Sequence, residues 1–379
     1  MNPEIEEHPL NFHGEEGAYF RIWLVNVLLG IVTLGIYTPW ARRRTVQYFY
    51  QNTEMAGDSF EFTAPIGRMV KGFLLFAGLY FAWNLASGSA NPTTQLVGQL
   101  CMLVALLAAP WLWASAMRFR LGHTRWRGLR LRFQPGTGEL YAASWPLLAL
   151  AVLGFAAGMS AFAIRAYGPL GVMALVLASL FLMLLCLALL QYNYARLLVL
   201  RTHIGTQPGR WKVERAPYLR IALQAAGLGV LLLGCVLALA WLLWDVLAAG
   251  RGSSVVLGLG LAAAAWLLAI VPALAWREAR TFELLWSHTG VANIARFRCD
   301  LSAGAFIALR IRNALLNLVT LGVYRPFARI KVYRMKCESV SLFVRGGADA
   351  LVGSLARQQE EGGFGDALAD HLGLDIVGA

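Results

Sequence analysis

Apolar stretches of about 20 residues follow one another along most of this chain, broken by short polar connections of two kinds. The clearest apolar runs are Gly72–Ala86, Leu96–Met117, Leu140–Ile164, Tyr167–Leu190, Ile221–Leu243 and Val255–Trp276. That pattern predicts six transmembrane helices. Two weaker runs flank them, Phe20–Tyr37 and Ala305–Tyr324. Each is interrupted near its end by Gly and Pro, so each predicts a helix that breaks and restarts.

The polar connections show a second period. Asn52-Thr53 leads to Phe60 and Phe62, His123-Thr124 to Leu131 and Phe133, Thr202-His203 to Trp211, and His288-Thr289 to Phe297. Alternating apolar residues behind a turn predict short two-stranded ribbons. His123, His203 and His288 recur in them, with Asn52 in the fourth. No second ligand stands near any of these histidines, so a structural turn role is expected and no metal.

The two flanking runs are copies of one unit. Residues 26–42 and 313–329 align without a gap at an offset of 287, and eleven of the seventeen positions are identical. The shared motif carries Asn26, Thr33, Gly35, Tyr37 and Pro39 in the first copy and Asn313, Thr320, Gly322, Tyr324 and Pro326 in the second. Duplicated broken helices mark binding sites in transporters. Arg42, Arg43 and Arg44 follow the first motif, and Arg329 and Lys331 end and follow the second. These five cations are the candidate binding residues, for an anionic lipid or solute.

Charge decides the topology expected. The net charge is +12, yet the arginines lie in the ribbon connections and not on a separate basic domain. This points to membrane topology and anionic headgroups, not to nucleic acid. The alternate connections, such as residues 87–95, are short and nearly neutral, which puts the ribbons and both termini in the cytoplasm. Full crossing by Ala305–Tyr324 exposes Arg325, Arg329, Lys331, Arg334 and Lys336 outside. The fold expected is therefore an all-α polytopic membrane protein, with six full spans plus two re-entrant or interfacial hairpins and short cytosolic β-ribbons between helix pairs. Eight full spans is the alternative. The chain divides into an acidic segment 1–19, a membrane domain 20–344 and an acidic tail 345–379.

Chemistry is sparse. The five cysteines form no C-x-x-C pair, and no catalytic elbow, zinc motif or phosphate loop is present. Asp245 sits at a helix end, and Asn84, Gln99, Asn193 and Gln224 are candidates for bonds between helices. Gly154 and Gly158 make a small-xxx-small match. No cofactor is implied. The reading is a scaffold or transporter-like protein whose partners are membrane lipids. A membrane enzyme acting on a lipid or isoprenoid, with its residues on the ribbons, is the alternative.

The pattern Phe-x-Gly at Phe12, Thr-Leu-Gly-x-Tyr-x-Pro-Trp-Ala-Arg at 33–42, and Asn-Thr-x-x-x-Gly-x-x-Phe-x-Phe at 52–62 resembles the YjgN / DUF898 family of bacterial inner-membrane proteins. Residues 12–75 carry the resemblance, 305–336 repeat it, and Gly-Phe-Gly-Asp at 363–366 is similar to the family's carboxyl end. The resemblance implies a multi-pass protein of the bacterial inner membrane and supplies no catalytic residue. Arg325 and Phe327 depart from Thr38 and Trp40 of the first copy.

Overall fold

Ten short strands close into one antiparallel barrel, and five pairs of helices rise from one of its rims. The computed structural model describes residues 5–204, 207–242, 258, 260, 263–291, 295–345 and 352–353, with the side chains of 155–167, 169 and 240 outside that description. In chain order the elements are β1 (Ile5–Phe12), α1 (Glu16–Val32), α2 (Thr38–Gln51), β2 (Thr53–Met55), β3 (Asp58–Phe62), α3 (Ile66–Ser87) and α4 (Pro92–Gly122). Then come β4 (Thr124–Trp126), β5 (Leu129–Phe133), α5 (Thr137–Ala143), α6 (Trp145–Leu200), β6 (Thr202–Ile204), β7 (Gln207–Trp211) and α7 (Arg215–Leu242). A π-helical turn at Trp266–Ile270 enters α8 (Val271–Ser287). The chain continues through β8 (Thr289–Val291), β9 (Ala295–Cys299), α9 (Ala303–Val319), α10 (Arg325–Glu338) and β10 (Val340–Arg345).

Five strand–helix–helix–strand units repeat around the barrel. Each unit's strands pair where the helices depart: Phe12 opposite Thr53, Phe62 opposite Thr124, Phe133 opposite Thr202, and Trp211 opposite Thr289. In the fifth unit Cys299 faces Val340. The other rim carries the turns between units, among them the two-residue turns Ala56-Gly57 and Arg127-Gly128, whose positive φ angles match the twist of the strands. β1 pairs with β10 and closes the ring, in register from Ile5 opposite Arg345 to Pro9 opposite Ser341. The helices close a ring of their own, α2 against α3, α4 against α5, α6 against α7, α8 against α9, and α10 against α1.

Equivalent positions repeat to the residue. Seven residues past each departing strand stand Tyr19, Met69, Leu140, Tyr218 and Phe306; all are buried except the half-buried Met69. Fourteen residues before each returning strand stand Pro39, Pro110, Ala188, Ala275 and Pro326, all buried. A small side chain or a proline ring there lets the second helix pack closely. Threonine hydroxyls at Thr53, Thr124, Thr202 and Thr289 donate to the carbonyl four residues back, tying each strand to the helix before it.

The lumen is filled. Leu10, Phe12, Met55, Leu129, Val291, Ala295, Leu342 and Val344 form one contiguous apolar cluster from both sides of the barrel. Arg125, Arg130, Arg132, Arg210, Arg296 and Arg298 alternate with inward residues and so decorate the outer wall. Of the arginines that the sequence assigns to cytosolic loops, these six are on this outer face, whereas others, such as Arg118, Arg220, Arg277 and Arg310, stand on the helices.

The expected fold class is thereby corrected. The chain is not all-α with separate ribbons between six to eight spans. Its ribbons are neighbouring strands of one closed barrel, because every hairpin edge finds another and no edge is left open. Among the described residues four helices are long and apolar enough to cross a membrane: Ile66–Ser87, Pro92–Gly122, Leu170–Leu200 and Arg215–Leu239. The predicted span at 140–164 begins in α5 and continues in α6, and that at 167–190 lies in α6, which breaks at Gly168 (φ 66). Residues 255–257, 259, 261 and 262 of the predicted span at 255–276, with Asp245, nearly all of the tail from 346 on, and the side chains after Gly154 in the small-residue match, lie outside the described residues. Residues 5–12 of the acidic amino-terminal segment are a barrel strand.

The ribbon spacing is corrected too. Three residues separate β8 from β9 where two separate the strands of the other ribbons, so Cys299, not Phe297, stands where Phe62, Phe133 and Trp211 stand. His203 follows its threonine, and Arg201 takes the place equivalent to His123 and His288.

Candidate functional site

Both copies of the duplicated motif fold into the same helix–turn–helix. Thr33 caps α1, its hydroxyl donating to Leu29 O at 2.7 Å and accepting from Tyr37 N at 3.0 Å. Thr320 repeats this with Leu316 O at 2.6 Å and Tyr324 N at 3.1 Å. Leu34 and Gly35 then take φ of 50 and 88, and Leu321 and Gly322 φ of 50 and 91. Only glycine adopts the second of these without strain, which is why Gly35 and Gly322 stand there. The first places a leucine in a disfavoured conformation with its side chain 93% exposed in each copy. Asn26 and Asn313 lie inside each hairpin, donating to Ala41 O and Ala328 O, both at 3.4 Å. Tyr37 stacks on Trp40 and Tyr324 on Phe327, just beyond the turn.

The five candidate cations do not converge. Arg329 donates to Tyr19 Oη at 3.1 Å and lies 5.3 Å over the Phe49 ring, joining the fifth unit to the first. Lys331 donates to Tyr324 Oη at 2.9 Å and faces Glu16 at 3.6 Å on the same seam. Arg42 and Arg44 are exposed on α2. Arg43 is half-buried, with Nε shielded and unpartnered, at a position where the other units bury Ala114, Tyr192, Ala279 and Ile330.

A different set surrounds a cavity of about 550 Å³ between α8, α9 and α10. One wall is apolar, with Trp266, Val271, Leu274 and Val332. The other carries Arg310, Arg325, Arg329 and Lys336. Glu278 of α8 takes Arg310 at 2.9 Å and Lys336 at 2.6 Å. Lys336 also faces the rings of Phe282 and Phe306, at 5.0 and 5.5 Å. Arg325 is exposed and has no charged or hydrogen-bonded partner among the described residues. One carboxylate against four cations leaves the cavity strongly positive.

This site belongs to the second copy alone. At the equivalent positions of the first copy, Arg310, Asn317, Arg325 and Lys336 are replaced by Trp23, Gly30, Thr38 and Phe49. Asn313 and Arg329 have counterparts in Asn26 and Arg42. The duplicated scaffold is common, and the charge around it is not. The sequence holds this signal in the mismatches between the copies, of which Arg325 against Thr38 is one and Lys336 against Phe49 another.

Tyr333 forms part of the cavity lining and bonds Thr53 Oγ1 at 2.8 Å. Burial pushes its phenol from 10.0 up to about 12, against the lowering effect of the Thr53 bond. Burial likewise pushes the Cys337 thiol from 9.0 up to about 12. Both groups are neutral when protonated, so the unfolded chain ionises first as pH rises. Their stabilisation is complete below about pH 9 and is lost towards about pH 12. The melting temperature in detergent is expected to fall over that window, with Cys337 resisting alkylation until the protein is unfolded; labelling of native Cys337 at neutral pH contradicts this.

His123 and His288 cap helices, whereas His203 lies in β6 and its Nδ1 meets Arg201 O at 3.3 Å. His123 Nδ1 meets Phe119 O at 2.6 Å and His288 Nδ1 meets Leu284 O at 3.0 Å, as Asn52 Nδ2 meets Tyr48 O at 2.7 Å. No group of three or more metal-ligating side chains occurs among the described residues. Asn84 bonds within its own helix, to Tyr80 O, whereas Asn193 bridges α6 to Ala143 O of α5 at 2.8 Å.

The family model described as "Bacterial protein of unknown function (DUF898)" matches residues 7–371. The Inner membrane protein YjgN of Escherichia coli O157:H7 is 35% identical over 130 residues, 34% of this chain and 32% of that protein. The protein of the same name from Escherichia coli strain K12 matches to the same extent. That of Salmonella typhimurium strain LT2 is 32% identical over 148 residues, 38% of this chain and 35% of its own length. The matched part of the chain thus spans about a third of the length of these relatives. No solved structure matches the chain. With four apolar helices of membrane-crossing length and a family model covering nearly all of its residues, the chain belongs to the DUF898 family and is a protein of the bacterial inner membrane.

Proposed function

We propose that this protein is a membrane scaffold that holds an anionic amphiphile, a phospholipid, in the cavity between α8, α9 and α10. One observation carries the reading: an apolar wall faces four cations across about 550 Å³. That pairing suits a ligand with an acyl body and a negative head. The positive-inside rule supports a cytoplasmic barrel, since its outer wall carries the arginines. The filled lumen argues against conduction through the barrel. Among the described residues, His123 and His288 each turn a ring nitrogen to a main-chain carbonyl, which supports a capping role for them over a catalytic one.

The test is lipid retention. Protein purified in mild detergent is expected to carry anionic phospholipid in native mass spectra, in preference to zwitterionic phospholipid present in excess. Lipid-free protein, or carryover that mirrors the bulk membrane, sinks the reading.

A further inference from the structure

One anion already sits at the edge of this cavity, and it belongs to the chain. Glu278 divides its carboxylate between two cations, with Oε2 facing Arg310 Nη2 at 2.9 Å and Oε1 facing Lys336 Nζ at 2.6 Å. A phosphodiester also carries two anionic oxygens on one atom, so the same pair of cations makes a seat for it. Buried aromatic rings hold that seat in place. Lys336 lies 5.0 Å from the Phe282 ring and 5.5 Å from that of Phe306, and Arg310 lies 5.9 Å from the latter. The groups are within reach of a ligand, since the side chains of Glu278, Arg310 and Lys336 are 32%, 39% and 23% exposed.

A second pair of cations stands further along α10. Arg325 and Arg329 are one helical turn apart, and both are exposed. Arg329 donates to the Tyr19 hydroxyl, and no carboxylate among the described residues pairs with either arginine. Arg329 and Lys336 are seven residues apart, about 10 Å along the helix axis, so the two pairs form two seats. The first copy has neither, because Trp23, Thr38 and Phe49 replace Arg310, Arg325 and Lys336.

We infer that Glu278 is a specificity-determining residue, which fills one anion seat and restricts the cavity to lipids with a single phosphate, held by Arg325 and Arg329. A lipid with two phosphates, of the cardiolipin type, brings its second phosphate against this carboxylate or leaves the carboxylate without its cations, and gains little either way. This inference rests on the lipid reading above and adds which heads the site admits.

Native mass spectrometry of the full chain tests it, with phosphatidylglycerol and cardiolipin titrated into delipidated protein. Wild type is expected to retain the two to about the same extent. Glu278→Gln frees two cations and is expected to raise cardiolipin retention about tenfold relative to phosphatidylglycerol. Adding Arg310→Gln is expected to take most of that gain away. Both lipids are read on the same variant, so a loss of stability alone moves them together. A ratio unchanged by Glu278→Gln shows a carboxylate that only ties α8 to α9 and α10, and overturns the inference. A tenfold preference for cardiolipin already present in wild type overturns it without any variant. Both outcomes leave the lipid reading standing, whereas no retention of either lipid overturns that reading itself. Displacement of phosphatidylglycerol by an equal concentration of soluble glycerol phosphate keeps the two seats and overturns a lipid source.

Discussion

Val344→Asp is expected to abolish the folded state. Val344 is fully buried in β10, between Glu6 of β1 and Ala295 of β9, and its side chain belongs to the cluster that fills the lumen. A carboxylate there has no partner among the surrounding side chains. Stranding a charge in such a place costs about 3–5 kcal/mol, a large part of the roughly 5–15 kcal/mol that holds a domain together. The strand involved also closes the ring, so β1 and β9 lose their partner together. Ser341→Asp on the same strand supplies the control. Ser341 alternates with the inward residues and pairs with Arg298, so a carboxylate there stays near solvent and a cation. Thermal unfolding followed by size-exclusion chromatography in detergent reads both. A monodisperse Val344→Asp protein with unchanged melting shows that β10 does not close a packed barrel.

Arg325→Glu carries the largest expected effect on binding. Arg325 is exposed and unpartnered, so its replacement breaks no contact that holds the fold. Each basic side chain near an anionic headgroup contributes about 1 kcal/mol. Reversal removes one attraction and adds one repulsion, about 2 kcal/mol, or roughly thirtyfold in retained anionic lipid. Arg312→Glu changes the charge equally on the same α9, and Arg312 is not among the residues lining the cavity. It is expected to leave retention near wild type. Equal loss in both variants means that net charge alone governs lipid association, and the cavity reading falls.

The short hairpins and the long ones follow one plan with different lengths. α1 and α9 have 17 residues each, roughly 25 Å of helix, against a hydrocarbon thickness of about 30 Å. α3 and α4 have 22 and 31 residues. The five units therefore share their roots on the barrel and differ in reach. Pro110 makes the kinship plain: it lies inside a long helix, yet it stands at the position of Pro39 and Pro326.

Apolar run length and the placement of arginine made the membrane legible, since both follow from transfer energies that act on each segment separately. The Thr-Leu-Gly turn was equally legible, because two left-handed residues and a capping hydroxyl are properties of adjacent positions. The four ribbons were visible as alternation, yet their partners, and the β1–β10 pair that completes the ring, were not. Strand pairing has no local code strong enough to say that Ile5 meets Arg345, and a three-residue strand such as Thr124–Trp126 carries almost no periodic signal. Lys331 illustrates the same limit at the site: its position in the motif made it a candidate, and the fold turned it towards Glu16.

What the chain determined by itself, then, was its solvent and its local turns: bilayer-length apolar helices, a duplicated helical hairpin and short alternating strands. Only the tertiary structure decided that ten strands form one closed and filled barrel, and that Arg310, Arg325, Arg329 and Lys336 share one cavity. The physical reason is that the first set depends on interactions within a few residues of one another. The second depends on closing a ring between β1 and β10 across nearly the whole chain.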